Sequence, residues 1–104
     1  MSRIEVLERM LAAEPENTSV LFGLAKEYEK LDRAEDVVRL LVRYLQLADD
    51  EGNAYGMLAR AYEKLGQREQ ARRALEQGVV AAERHNHPSL AEEYRLMLDA
   101  DFAD

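Results

Sequence analysis

The chain has no cysteine, no tryptophan, and only two prolines and two phenylalanines in 104 residues. Without cysteine there is neither a disulfide framework nor a thiolate metal site, which suits a reducing compartment. The cytoplasm is therefore the expected location. With two prolines, helices can run unbroken over most of the length. No run approaches the ~18 uninterrupted apolar residues of a membrane-spanning helix. The opening MSRIEVLERM carries charge where a secretory leader has its apolar core. Cationic residues are also in deficit: 14 Lys and Arg against 21 Asp and Glu leave a net charge of −7. An acidic surface repels phosphate backbones and anionic lipid, so neither nucleic acid nor membrane is an expected partner.

Signatures of chemistry are equally scarce. There is no Gly-rich phosphate loop, no His-Glu-x-x-His pair and no thiol nucleophile. The carboxylates fall on polar helix faces, and none stands alone in an apolar run as a general acid of raised pKa would. No catalytic residue is assigned, no cofactor is implied, and the chain is not expected to be an enzyme. The stretch ERHNH gathers Glu83, His85 and His87. Its spacing fixes no further strong ligand, so no metal is expected. Cationic side chains finishing a helix, where its dipole favours them, explain the stretch better.

What the chain does have is the composition of helices. Apolar residues make up 47% of it, enough for a core despite 34% charged residues, and Ala, Leu, Glu, Arg and Lys predominate. Apolar residues recur at helical spacing in six segments. The first carries Ile4, Leu7, Met10 and Leu11 and ends at Pro15. The second carries Leu21, Leu24, Ala25, Tyr28 and Leu31, with Asn17 or Thr18 as its N-cap. Val37, Val38, Leu41, Tyr44 and Leu45 stripe the third. Tyr55, Leu58, Ala59, Tyr62 and Leu65 stripe the fourth, which stops at Gly66. Ala71, Ala74, Leu75, Gly78 and Val79 mark the fifth. The sixth opens at Pro88 and carries Leu90, Tyr94, Met97 and Leu98. No stretch alternates as a half-buried strand does. The prediction is an all-α array of six antiparallel helices.

The array repeats itself. LAKEYEKLD at 24–32 returns as LARAYEKLG at 58–66, an offset of 34 residues, and LAEEY at 90–94 follows at 32. The last connection is therefore expected to be two residues shorter. A helix hairpin repeating every 34 residues with Leu-Ala-x-x-Tyr in its first helix resembles the tetratricopeptide repeat (TPR). The match divides a single expected domain, 1–104, into a helix over 2–14, repeats over 18–51 and 52–85, and a terminal helix over 88–100. In the second repeat Tyr55 stands where the family often has Trp. Leu58, Ala59, Tyr62 and Gly66 follow the pattern, as do Ala71, Leu75 and Gly78. The first repeat departs from it: Asp32 replaces the turn glycine, Val37 and Tyr44 replace alanines, and Asp49 replaces the closing proline. The bulk of Val37 and Tyr44 is expected to push neighbouring helices apart.

The resemblance implies a superhelical solenoid that holds a protein or peptide partner in its concave groove. Projected onto this sequence, the groove-facing residues are Phe22, Lys26, Glu29 and Lys30, then Asn53, Gly56, Met57, Arg60, Glu63 and Lys64, then Glu92, Arg95 and Leu96. Five cations against three anions give this face +2 in a chain of −7. Lys26 with Lys30, and Arg60 with Lys64, are like charges four apart, each pair costing a few tenths of a kcal/mol. These charges fit an acidic peptide as ligand, with Phe22 and Met57 as an apolar floor; the alternative is a duplicated solvated face that Glu29 and Glu63 already neutralise. The carboxylate clamp of chaperone-binding relatives is missing, because Phe22 and Met57 occupy two of its positions and no basic pair follows. The other function these residues allow is self-association into a homodimeric scaffold with no peptide ligand, through Phe22, Tyr44, Tyr55, Met57 or Phe102.

Overall fold

Helix ends leave backbone groups unpaired, and this chain satisfies them at specific residues. In the computed structural model, which describes residues 1–103, Ser2 Oγ accepts from Glu5 N at 3.1 Å and opens α1, Arg3–Ala13. Asn17, rather than Thr18, caps α2, Thr18–Lys30, its Oδ1 accepting from Val20 N at 3.1 Å. Helix α3 spans Ala34–Leu47. Helix α4, Asn53–Lys64, is capped from two residues further back: Asp50 Oδ2 accepts from Gly52 N at 2.8 Å and Ala54 N at 3.0 Å. Helix α5 spans Arg68–Arg84, and α6, Pro88–Asp101, opens on its proline. Among the described residues there is no strand, and no helix is long and apolar enough to cross a membrane.

Three helices stop in the same way. Arg33 N donates to Tyr28 O at 3.0 Å and Asp32 N to Glu29 O at 3.0 Å. Gln67 N donates to Tyr62 O at 2.8 Å and Gly66 N to Glu63 O at 3.0 Å. His87 N donates to Ala82 O at 2.7 Å and Asn86 N to Glu83 O at 3.1 Å. This paired closure needs a left-handed residue just past the helix, and Asp32, Gly66 and Asn86 supply it with φ of 60°, 73° and 60°. Asp32 therefore does the work of the glycine it replaces. The α3–α4 connection covers 48–52 and the α5–α6 connection 85–87, five residues against three. The shorter connection does not account for the 32-residue spacing, because α5 is longer than α3, 17 residues against 14, and α2, α4 and α6 begin at 18, 53 and 88, evenly spaced. LAEEY simply stands nearer the start of its helix.

The helices gather into two compact units, Met1–Asp49 and the chain from Asp50 onward. In the first, α2 packs against both α1 and α3. Val20, Leu21, Leu24 and Ala25 meet Val37, Leu40 and Leu41 in its core. Complete burial of a leucine such as Leu24 or Leu41 contributes about 1.5–3 kcal/mol. Helix α1 has no fully buried residue; Ile4, Leu7 and Leu11 are half-buried and Met10 is exposed. Leu31, assigned by its spacing to the α2 stripe, is 58% exposed. It is the C-cap of α2, where the closing turn carries the chain off the helical path. Leu40 takes a core place that the stripe reading does not give it.

In the second unit α5 packs against α4 and α6. The interface is built of small residues, Ala54, Ala59, Ala71, Ala74, Ala82 and Ala91, so one large ring can enter. That ring is Tyr94. A Cβ on Gly56 would lie 2.7 Å from its hydroxyl, and a Cβ on Gly78 would lie 2.8 Å from Cε2. Only glycine admits the ring at both places. The hydroxyl donates to Gly52 O at 2.7 Å and accepts from Gly56 N at 3.1 Å. Those two backbone groups are the ones a first-turn helical bond would pair directly. Burial pushes the Tyr94 phenol above its ordinary pKa, and the bond from Gly56 N opposes that in part.

Candidate functional site

With Val20, Leu21, Leu24 and Ala25 turned inward, α2 presents the opposite face, Ser19, Phe22, Gly23, Lys26 and Lys30, at helical spacing. That face lines an open depression of about 550 Å³ in the first unit. Helix α1 adds Arg3, α2 adds Thr18 and Glu27, and α3 adds Tyr44. The Phe22 and Tyr44 rings lie 5.1 Å apart with their planes at 47°, a tilted aromatic pair. The Lys26 ammonium sits 5.7 Å from the Phe22 ring centre, within cation–π range.

Glu27 organises the charges. Its carboxylate lies 3.3 Å from Arg3 Nε on one side and 2.9 Å from Lys30 Nζ on the other. Its side chain is only 16% exposed, whereas the two cations reach into solvent. The hydrogen bond from Lys30 holds the Glu27 carboxyl below the usual carboxylate range. Burial opposes the shift, and the charges of Lys30, Arg3 and Lys26 reinforce it. Three cations against one carboxylate leave the depression at +2. It offers an anion-favouring rim and an aromatic floor.

Of the residues assigned to a groove from the sequence, Phe22, Lys26 and Lys30 come together here. Glu29 is half-buried on α2 and lies outside the lining. In the second unit, Arg60, Glu63 and Lys64 are exposed on α4. Met57 does not form an open floor: it is 7% exposed and belongs to the core, because α4 buries that face among small residues. Asn53 lies in a separate depression of about 310 Å³ with Glu51, Asn86, His87, Pro88, Ser89 and Leu90. Arg95 is paired with Glu83 and Glu92. Histidine 87 of the ERHNH turn meets Glu51 at 3.3 Å. Among the described residues no three His, Cys, Asp or Glu side chains cluster as a metal site would require.

Phe102, offered above as a self-association contact, is instead 6% exposed. The Arg68 guanidinium stacks 5.0 Å from its ring centre and donates to Asp101 O at 2.8 Å. It closes the end of its own unit.

Sequence reasoning missed Arg3, Glu27 and Tyr44 at the depression. Glu27 carries a local signal, since it stands three residues before Lys30, an ion-pairing distance on a helix. Arg3 carries none, because only the packing of α1 on α2 brings it there.

The chain is similar to a TPR repeat-containing protein of Pseudomonas aeruginosa, with 32% identity over 95 residues, or 91% of this chain and 90% of the relative. No protein-family model matches it, and neither does any solved structure. Identity of that extent over 91% of the chain, together with the 34-residue hairpin register, places the chain in the tetratricopeptide repeat family.

Proposed function

We propose that this protein is an interaction module whose α2 depression receives an acidic segment of a partner protein. The observation that carries this is the convergence of Arg3, Lys26 and Lys30 around a Phe22–Tyr44 floor in a chain of net −7. A local +2 in such a chain is not what composition alone would produce. Positive potential there raises the encounter rate with acidic segments, while the rings supply apolar area that a carboxylate alone would lack. Arg60, Glu63 and Lys64, exposed on α4, repeat the charge pattern of Lys26, Glu29 and Lys30 on α2.

The test is fluorescence anisotropy of labelled acidic and neutral peptides with the wild type and with Lys26→Glu/Lys30→Glu. The wild type is expected to prefer the acidic peptide, and the variant to lose about tenfold or more in its affinity, because two attractive charges become two repulsive ones. Equal binding of both peptides by both proteins refutes the function. Self-association without a ligand is the competing class. Light scattering over a concentration series separates the two, because a dimer that occludes Phe22 and Tyr44 would leave no room for a peptide.

A further inference from the structure

The three cations of the α2 depression are not equivalent. Arg3 and Lys30 both face Glu27, at 3.3 Å and 2.9 Å, and Glu27 is tethered between them with little exposure. Lys26 is set apart: its ammonium lies over the Phe22 ring and makes no ion pair among the described residues. A ligand carboxylate arriving at Lys26 meets an ammonium that Glu27 feels only through space, with no close ion pair to displace. One arriving at Arg3 or Lys30 must share donors with an anion already in place, and that anion competes at the high effective concentration of an intramolecular group. It must also come close to that anion, and like charges at short range are costly.

We infer that Glu27 sets the charge of the ligand: the depression takes a segment with one carboxylate beside an aromatic or aliphatic residue, the carboxylate at Lys26 and the apolar group on Phe22 and Tyr44, and gains little from further acids. This rests on the acidic-segment function above. Glu27 then acts as an internal stand-in for the acids a more acidic ligand would bring. It is the specificity-determining residue of the depression, although it carries the sign of the ligand rather than its complement.

Two labelled synthetic peptides test this, one with a single Asp next to Phe and one with three Asp next to Phe. Wild type should bind the second no more than about threefold better than the first, the gain of a weak exposed contact. In Glu27→Gln, which frees Arg3 and Lys30 and keeps the side-chain shape, the ratio should rise to about tenfold or more. Affinity for the single-Asp peptide should change by less than about threefold. Adding Arg3→Gln to Glu27→Gln should bring the ratio back toward the wild-type value, which a general change in surface charge or a loosened α1 would not do. Far-UV circular dichroism of each variant checks that the helices persist. Binding by wild type with an unchanged ratio in Glu27→Gln overturns the inference and leaves the acidic-segment function standing. Failure of every protein to bind either peptide overturns both.

Discussion

At the scale of single residues, space decides more than chemistry in this protein. Gly78 and Gly23 both sit inside helices, where replacement by alanine gains roughly 1 kcal/mol of helix propensity. Their surroundings are opposite. A Cβ on Gly78 would stand 2.9 Å from Tyr55 Cβ, an atom fixed by its own backbone, and 2.8 Å from the Tyr94 ring. A Cβ on Gly23 meets nothing within 4 Å. Gly78→Ala is expected to lower unfolding free energy by about 2 kcal/mol, since overpacking outweighs propensity. Gly23→Ala should raise it by about 0.5–1 kcal/mol. Urea titrations of the two variants give the comparison, and shifts of the same sign would show that Tyr94 is not wedged as described. The sequence marks Gly78 as small but not the reason, because Tyr94 lies on another helix.

At the scale of elements, the left-handed closures hold the hairpins to length. Gly66 has φ of 73° and open space where a Cβ would stand, so Gly66→Ala measures the conformational cost alone. That cost should be about 1 kcal/mol. Asn86, at φ 60°, pays part of the same penalty already, and Asn86→Gly is expected to gain about 0.5 kcal/mol. Thermal melts suffice to read both signs; a neutral Gly66→Ala would contradict the closure. Gly66 was legible as a helix stop from its position after an apolar stripe. Asp32 and Asn86 were not, since Asp and Asn suit many turns and only the backbone bonds from Arg33 to Tyr28 and from His87 to Ala82 reveal which turn this is.

Across the whole molecule, stability should form a plateau in pH with a fall at each end. The Glu27 and Glu69 carboxyls are held below their ordinary range, by hydrogen bonds from Lys30 and Arg72 respectively. Such groups stabilise the fold fully above the unfolded value of about 4.3, and the contribution is lost as pH drops through the lower folded value. Burial pushes the Tyr94 and Tyr28 phenols up. Above the unfolded value of about 10, the unfolded chain ionises first, and stability declines until the folded phenols follow. Urea midpoints between about pH 2.5 and 11 should trace this plateau. Glu27→Gln should flatten the acid limb and Tyr94→Phe the alkaline one, and limbs unaffected by these changes would assign the titrations elsewhere.

The sequence alone determined the six helices, their 34-residue register, the stops at Pro15 and Gly66, and Phe22, Lys26 and Lys30 on one face of α2. Periodicity, capping and closure act within a turn or two of the chain, so a linear reading reaches them. Only tertiary structure decided that Arg3 would reach Glu27, that Met57 and Phe102 would be buried, and that Leu31 would not. The physical reason is coverage. A helical stripe says which residues share a face, but whether that face is sheltered depends on residues tens of positions away, and on how closely glycine and alanine let them approach.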